Sequence, residues 1–173
     1  MTRISRTKRI MIIGGPGSGK SALATALSEK LGLPVIHMDR IFWQPGWQPR
    51  HRGDVARLAM AAAEQPDWII DGNYASTWDY RAERAGLILC LDLPRHVRMM
   101  GLFRRILTGY GRVRPDMAEG CPERLNWEFL RWSWEWDSHS RPKMRDFAEG
   151  WGRTRRVEFL TSRAEVQKFL NRL

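Results

Sequence analysis

Between positions 14 and 21 the chain reads Gly14-Gly15-Pro16-Gly17-Ser18-Gly19-Lys20-Ser21. The apolar run Ile10-Met11-Ile12-Ile13 leads into it, and Ala22, Leu23, Ala26, Leu27 and Leu31 follow at helical spacing as far as Gly32. This is the pattern of a strand buried on both faces, a glycine-rich turn and a helix that stops at a glycine. Glycine lets the backbone curl until successive N–H groups point inward, and the helix adds the positive end of its dipole to the same point. An anion is what such a turn gathers. The spacing Gly14, four residues, Gly19-Lys20-Ser21 further supplies a lysine to bridge the β- and γ-phosphates of a nucleotide, and a serine hydroxyl for Mg²⁺, a hard cation that prefers oxygen. ATP and Mg²⁺ are therefore the expected cofactors, with Gly15, Pro16, Gly17, Ser18, Gly19, Lys20, Ser21 and Ala22 around the nucleotide. The strand before and the helix after distinguish this P-loop from a glycine-rich turn with a solvent-facing lysine.

The rest of the chain repeats the alternation. Pro34 to Met38 is a second short strand, followed by a stretch rich in Trp, Gln and Pro from Phe42 to Pro49 that has no period and is expected to be a loop. Val55, Leu58, Ala59 and Ala62 mark a helix ending before Pro66, and Trp68-Ile69-Ile70 forms a third strand closed by Asp71-Gly72. Leu87 to Leu91 is a fourth strand, Pro94 opens a helix to about Thr108, and Gly109-Tyr110-Gly111 breaks it. Pro122 is expected in the first turn of a long helix whose Leu125, Phe129, Trp132 and Trp136 share one face, so that core packing accounts for Trp127, Trp132 and Trp136. Val157 to Leu160 is a fifth strand and Arg163 to Leu173 a closing helix. Strands alternating with helices imply a parallel sheet with right-handed crossovers and helices on both faces, the three-layer α/β/α class. At 173 residues one domain, 1–173, is expected.

In open parallel sheets ligands lie beyond the carboxyl ends of the strands, so the residues there are the candidates for chemistry. Asp71 closes the third strand and is the expected acidic partner of the magnesium shell, together with Ser21; the competing role is that of a turn aspartate before glycine. Asp39 follows the second strand, where a carboxylate could accept a hydroxyl proton from a substrate, hold that substrate or help hold the metal, or else cap a helix. Asp92 precedes Leu93-Pro94 and is expected to cap the next helix. Trp43, Trp47 and Tyr74 could wall an acceptor pocket, and Arg81 could meet an anionic acceptor.

Composition limits the partners. The net charge is +10, and thirteen arginines fall between Arg95 and Arg156. Arginine's planar fork suits phosphate, so the segment could grip nucleotide phosphates or a nucleic-acid backbone, while a solvated basic face is the plainer alternative. The two cysteines are far apart and Cys90 lies in an apolar run, which argues against a structural disulfide and for a reducing cytoplasm. No apolar run approaches the length of a membrane span. The Asn-Lys-x-Asp signature of guanine-specific GTPases does not occur, which favours small phosphotransferases over switches.

These residues resemble a family. Asp67-Trp68-Ile69-Ile70-Asp71-Gly72 is similar to a segment of adenylate-kinase-type proteins, and Arg105-Ile106-Leu107-Thr108-Gly109 through Arg112-Val113 resembles the arginine-bearing start of that superfamily's lid. The segments His37 to Trp43, Asp71 to Tyr74, and Arg112 to Pro122 resemble, more specifically, the adenylate-kinase-related group labelled "DNA topology modulation protein" (FlaR-like). The resemblance implies a five-stranded sheet in the kinase order 2-3-1-4-5, a small helical lid inserted at about 109–145, and phosphoryl transfer to a small molecule or nucleotide. Its alternative is a nucleotide-dependent regulatory protein associated with nucleic acid. By the same resemblance Arg105 and Arg112 would contact the nucleotide or its phosphates; with Lys20 and Asp39 they are the expected catalytic residues, Arg105 also on the nucleotide, and Asp39, Trp43, Asn73, Tyr74 and Arg81 are the expected acceptor contacts. Arg104 and Arg114 lie in the same lid region. After Asp71-Gly72 comes Asn73-Tyr74 where nucleotide kinases have Phe-Pro-Arg, a departure that speaks against AMP as acceptor.

Overall fold

The computed structural model describes residues 8–173. Strand β1 (Arg9–Gly14) is the centre of a sheet that also holds β2 (Val35–His37), β5 (Trp68–Asp71), β6 (Leu87–Leu91) and β7 (Val157–Leu160), in the order β2-β5-β1-β6-β7. All four pairings are parallel. The expected strands and their expected order are therefore present, since these five are the first to fifth strands of the sequence.

Each central strand sends alternate residues to opposite faces, as strand geometry requires. Met11, Ile13, Trp68, Ile70, Ile88 and Cys90 enter one core with Val55, Ala59, Ala82, Trp136, Met144 and Ala148. Ile10, Ile12, Ile69, Leu87, Leu89 and Leu91 enter the other with Leu23, Leu27 and Phe169. One face is thus covered by α1 (Lys20–Leu31) and α8 (Arg163–Asn171). The other is covered by α3 (Arg52–Glu64), α4 (Trp78–Arg84), α6 (Trp127–His139) and α7 (Arg141–Trp151). Helix α5 (Arg95–Gly109) leaves β6, and its Met99, Leu102 and Ile106 pack on Leu130 of α6.

Several local expectations change. The stretch after β2 is not a plain loop: a short helix α2 (Met38–Phe42) leads into a hairpin of β3 (Trp43–Gln44) and β4 (Gln48–Pro49). Helix α6 starts at Trp127, where the Asn126 side chain accepts from the Phe129 N–H at 2.9 Å, and not at Pro122, which bridges Val113 instead. Of its aromatics only Trp136 is in the core. Trp127, Trp132 and Trp134 are exposed at 72, 48 and 54% of their surface, because Leu130, Ser133 and Trp136 form the inward face. Helix α7 and the short α4, preceded by a 3-10 turn at Ala75–Thr77, were not read from the sequence. Trp136, Met144 and Ala148 pack on the sheet, and bridges of Tyr110 to Glu123 and Val113 to Pro122 tie together the first half of the 109–145 region.

Candidate active site

Every carbonyl along the P-loop is tied from behind. The Lys20 ammonium donates to Gly14 O and Gly15 O, both at 3.0 Å, and Asn73 donates to Gly14 O at 2.8 Å. Arg98 of α5 reaches Pro16 O, and Arg163 at the start of α8 donates to Gly17 O at 3.2 Å and Ser18 O at 2.6 Å. With these carbonyls engaged, the loop N–H groups other than those of Gly14 and Ser18, which donate to Asn73 Oδ1 and Gly15 O, are available to an anion. Helix α1 adds its first turn there: its cap, Gly19, sits at φ 91° with no side chain capping it and no acidic residue in the first turn. The glycines are required by contact as well as by conformation, since a Cβ on Gly17, at φ 75°, would collide with the Arg98 carbonyl.

This loop forms one end of a cavity of about 650 Å³, of the size that binds small molecules. Lys20, Ser21, Asp39 and Asp71 line it together, with Phe42, Tyr74, Arg104, Arg105, Arg114 and Trp132 further round. The parallel register brings the acidic groups close, because His37 and Asp71 are partners at the ends of β2 and β5. His37 Nδ1 lies 2.5 Å from Asp71 Oδ1, and Asp71 is only 3% exposed. Burial works against a charged imidazole, but the Asp71 carboxylate, by hydrogen bond and by charge, outweighs it and raises the His37 pKa.

Loss of hydration lowers the Lys20 pKa, against the opposing charges of Asp39 and Asp71. Asp39 keeps contact with solvent through the cavity, but protein surrounds it. That enclosure raises its pKa, Lys20 opposes the rise and Asp71 adds to it. Among the described residues no donor reaches the Asp39 carboxylate, so helix capping and ion pairing do not explain it.

The residues present fit a nucleotide polyphosphate. The Ser18 hydroxyl is buried and has no partner, the first turn of α1 is uncapped, and Lys20 is held over two loop carbonyls. No cluster of three metal-ligating side chains exists among the described residues. Ser21, Asp39 and Asp71 present oxygens to the cavity, and Mg²⁺ takes one or two such protein oxygens and completes its shell with phosphates and water.

Other expected site residues stand elsewhere. Arg81 is fully buried and donates to Gly72 O at 3.0 Å and Tyr74 O at 3.3 Å, so it holds the turn after β5 and does not meet an acceptor. Asn73 lines the cavity, but its amide is taken up by both the N–H and the C=O of Gly14. Tyr74 lines the cavity with its backbone strained at φ 126°, a geometry that Arg81 and the hydroxyl's bond to Arg52 O sustain. Trp43 meets Phe42 and Trp47 edge to face outside the cavity, and Phe42 takes the place expected of it. Arg112 is exposed and away from the cavity, whereas Arg114 faces it. Asp92 does not cap α5. It is buried and pairs with Arg141 at 2.6 Å and Arg145 at 3.5 Å.

The basic segment is also less free than its composition suggests. Arg95 and Arg98 share Asp137, Arg105 and Arg114 share Glu123, Arg131 pairs Glu135, and Arg156 pairs Glu158. Sequence reasoning missed Arg98 and Arg163, which carry no local signal. It also missed His37, which inspection of the second strand's last residue would have found.

No protein-family model matches the chain. It is 31% identical to a shikimate kinase of Symbiobacterium thermophilum, over 65% of this chain and 79% of that protein. It is 29% identical to adenylate kinase 1 of Synechocystis, over 62% of this chain but only 58% of that protein. A crystal structure of shikimate kinase from Bacteroides thetaiotaomicron superposes on 96% of this chain and 95% of its own, with a TM-score of 0.54 at 19% identity, which is a likeness of fold. With the phosphate loop, the sheet order and these relatives together, the chain belongs to the P-loop kinase family that holds shikimate kinase and adenylate kinase.

Proposed function

We propose that this protein transfers the γ-phosphoryl group of ATP to a hydroxyl of a small acceptor bound against Asp39. The observation that carries the reading is the unpartnered Asp39 carboxylate in the same cavity as Lys20 and the uncapped start of α1. A carboxylate whose pKa is raised by loss of hydration is a better proton acceptor than an ordinary one, and among the described residues no donor competes for Asp39. Lys20 and the loop N–H groups hold the polyphosphate, and Arg104, which lines the cavity with no carboxylate partner among the described residues, would meet the charge that spreads over the transferred group. Mg²⁺, held by Ser21 and through water by Asp71, would neutralise the phosphates. The long segments after β2 and α5 exclude water by covering the cavity.

The resemblance to the FlaR-like group rests on the segments at 37–43, 71–74 and 112–122, and we place the chain beside it on that basis. Cys90 and Cys121 are both free, which fits a reducing cytoplasm, and no described helix is long and apolar enough to cross a membrane.

Label transfer from γ-labelled ATP to a panel of hydroxyl compounds tests the reading. Transfer that needs Mg²⁺ and disappears in Asp39→Asn supports it. ATP binding without transfer to any acceptor contradicts it.

A further inference from the structure

The charges around the acceptor end of the cavity are settled among themselves, with one exception. Arg114 Nη1 donates to Asp116 Oδ2 at 2.7 Å, and its Nε lies 3.0 Å from Glu123 Oε2. Arg105 brings its Nε to the same Glu123 oxygen at 3.0 Å and donates from Nη2 to Oε1 at 3.1 Å. Two guanidiniums thus face two carboxylates that are 9% and 4% exposed, and the group is neutral as a whole. His37 is paired with Asp71 in the same way. Arg104 carries no carboxylate among the described residues, but it belongs to the nucleotide end. It lies one turn beyond Gly101, the point where α5 touches the P-loop so closely that a Cβ there would meet Gly17 O at 2.6 Å. What remains at the acceptor end is the bare carboxylate of Asp39, which lines the cavity together with Phe42 and Tyr74.

We infer that the acceptor is an uncharged hydroxyl compound with an apolar or flat face, and not one that carries a carboxylate or a phosphate of its own. This rests on the kinase reading above. An anionic acceptor would approach Asp39 past Arg105 and Arg114, cavity-lining cations that are each already held by a carboxylate. To obtain one it would have to displace Asp116 or Glu123, leaving a buried carboxylate alone. A neutral hydroxyl donates to Asp39 and rests its apolar side on the two rings. In the transfer the acceptor oxygen forms a bond to the γ-phosphorus, the bond from that phosphorus to the bridging oxygen of ADP breaks, and the hydroxyl proton passes to Asp39.

The experiment presents the full-length protein and Mg·ATP with matched pairs that differ in one anionic group: uridine with UMP, ribose with ribose 5-phosphate, glycerol with glycerol phosphate, glucitol with gluconate. Phosphorylated products are read by mass spectrometry and kcat/KM is taken for each. The neutral member is expected to be the better substrate by about 100-fold, given the cost of setting like charges together. In Glu123→Gln, which frees Arg105 and Arg114, the gap narrows at least tenfold; if that variant does not fold, Asp116→Asn makes the same test through Arg114. Equal or better turnover of the anionic members by the wild type overturns the inference and leaves the kinase reading standing. Transfer to neither member of any pair, with ATP bound, overturns both.

Discussion

Replacing Arg98 with alanine should damage the fold and the nucleotide site together. The side chain is fully buried between α5 and α6 and pairs with Asp137, which is itself 14% exposed. It reaches the carbonyls of Pro16 and Ser133 at 3.4 and 3.5 Å, and its guanidinium lies 4.8 Å from the centre of the Trp136 ring. The two carbonyl contacts are long and contribute little. The larger loss is the carboxylate left behind: removing one partner of a buried ion pair costs about 3–5 kcal/mol. Arg95 keeps Asp137 partly neutralised from 3.3 Å, which favours the lower end of that range. For a chain of this size each kcal/mol is worth about 2–4 °C of melting temperature, so a fall of roughly 6–12 °C is expected in Arg98→Ala. The assay is urea unfolding of the wild type, Arg98→Ala, Asp137→Asn and the double variant. Because both variants act on one pair, the double should be less destabilised than the sum by 1 kcal/mol or more, on the order of a direct contact's coupling. An Arg98→Ala protein within about 1 kcal/mol of wild type, well under the loss of a buried charge partner, or strictly additive effects, would refute the role given to this pair.

Other perturbations follow from the same contacts. Gly17→Ala forces a side chain onto φ 75° and against the Arg98 carbonyl, so beyond a strain of about 1–2 kcal/mol it should reshape the loop and weaken Mg·ATP binding at least tenfold by calorimetry, with unchanged affinity as the contrary result. Enclosure holds the Asp39 carboxyl above its ordinary value of 3.8, and a base must be ionised to act. The acid limb of kcat therefore lies higher than an ordinary aspartate would set it and vanishes in whatever residual activity Asp39→Asn retains. Burial pushes the Cys90 thiol from 9.0 up to about 12. The unfolded chain ionises first, so this thiol costs no stability below pH 9, and stability falls progressively between pH 9 and 12. Cys90→Ala should flatten that part of the unfolding curve, and the native thiol should resist alkylation at pH 8.5 until denaturant is added.

How much of this was legible depends on the range of the interactions. The phosphate loop is local: one turn, its strand and its helix lie within about twenty positions, and each residue's job follows from its own chemistry. The inner strands were legible because a strand buried on both faces must be apolar throughout, as Ile10–Ile13 and Leu87–Leu91 are. The start of α6 was misplaced because a proline at 122 suits a first helical turn, whereas the decisive cap is Asn126. The tryptophan stripe misled for a related reason. Spacing shows which residues share a face, but only packing against Met99, Leu102 and Ile106 shows that Leu130 faces inward and Trp127 does not. Asp92, Arg81, Arg98 and Arg163 were illegible in principle, since their partners are seven to 146 residues away and no periodicity encodes them.

The most direct test of the account is titration calorimetry of Mg·ATP into the wild-type protein and into Lys20→Ala. The account predicts saturable heat for the wild type and at least a tenfold weaker binding once the ammonium that sits 3.0 Å from Gly14 O and Gly15 O is gone. Heat that is absent from the wild type, or identical in both proteins, would contradict it.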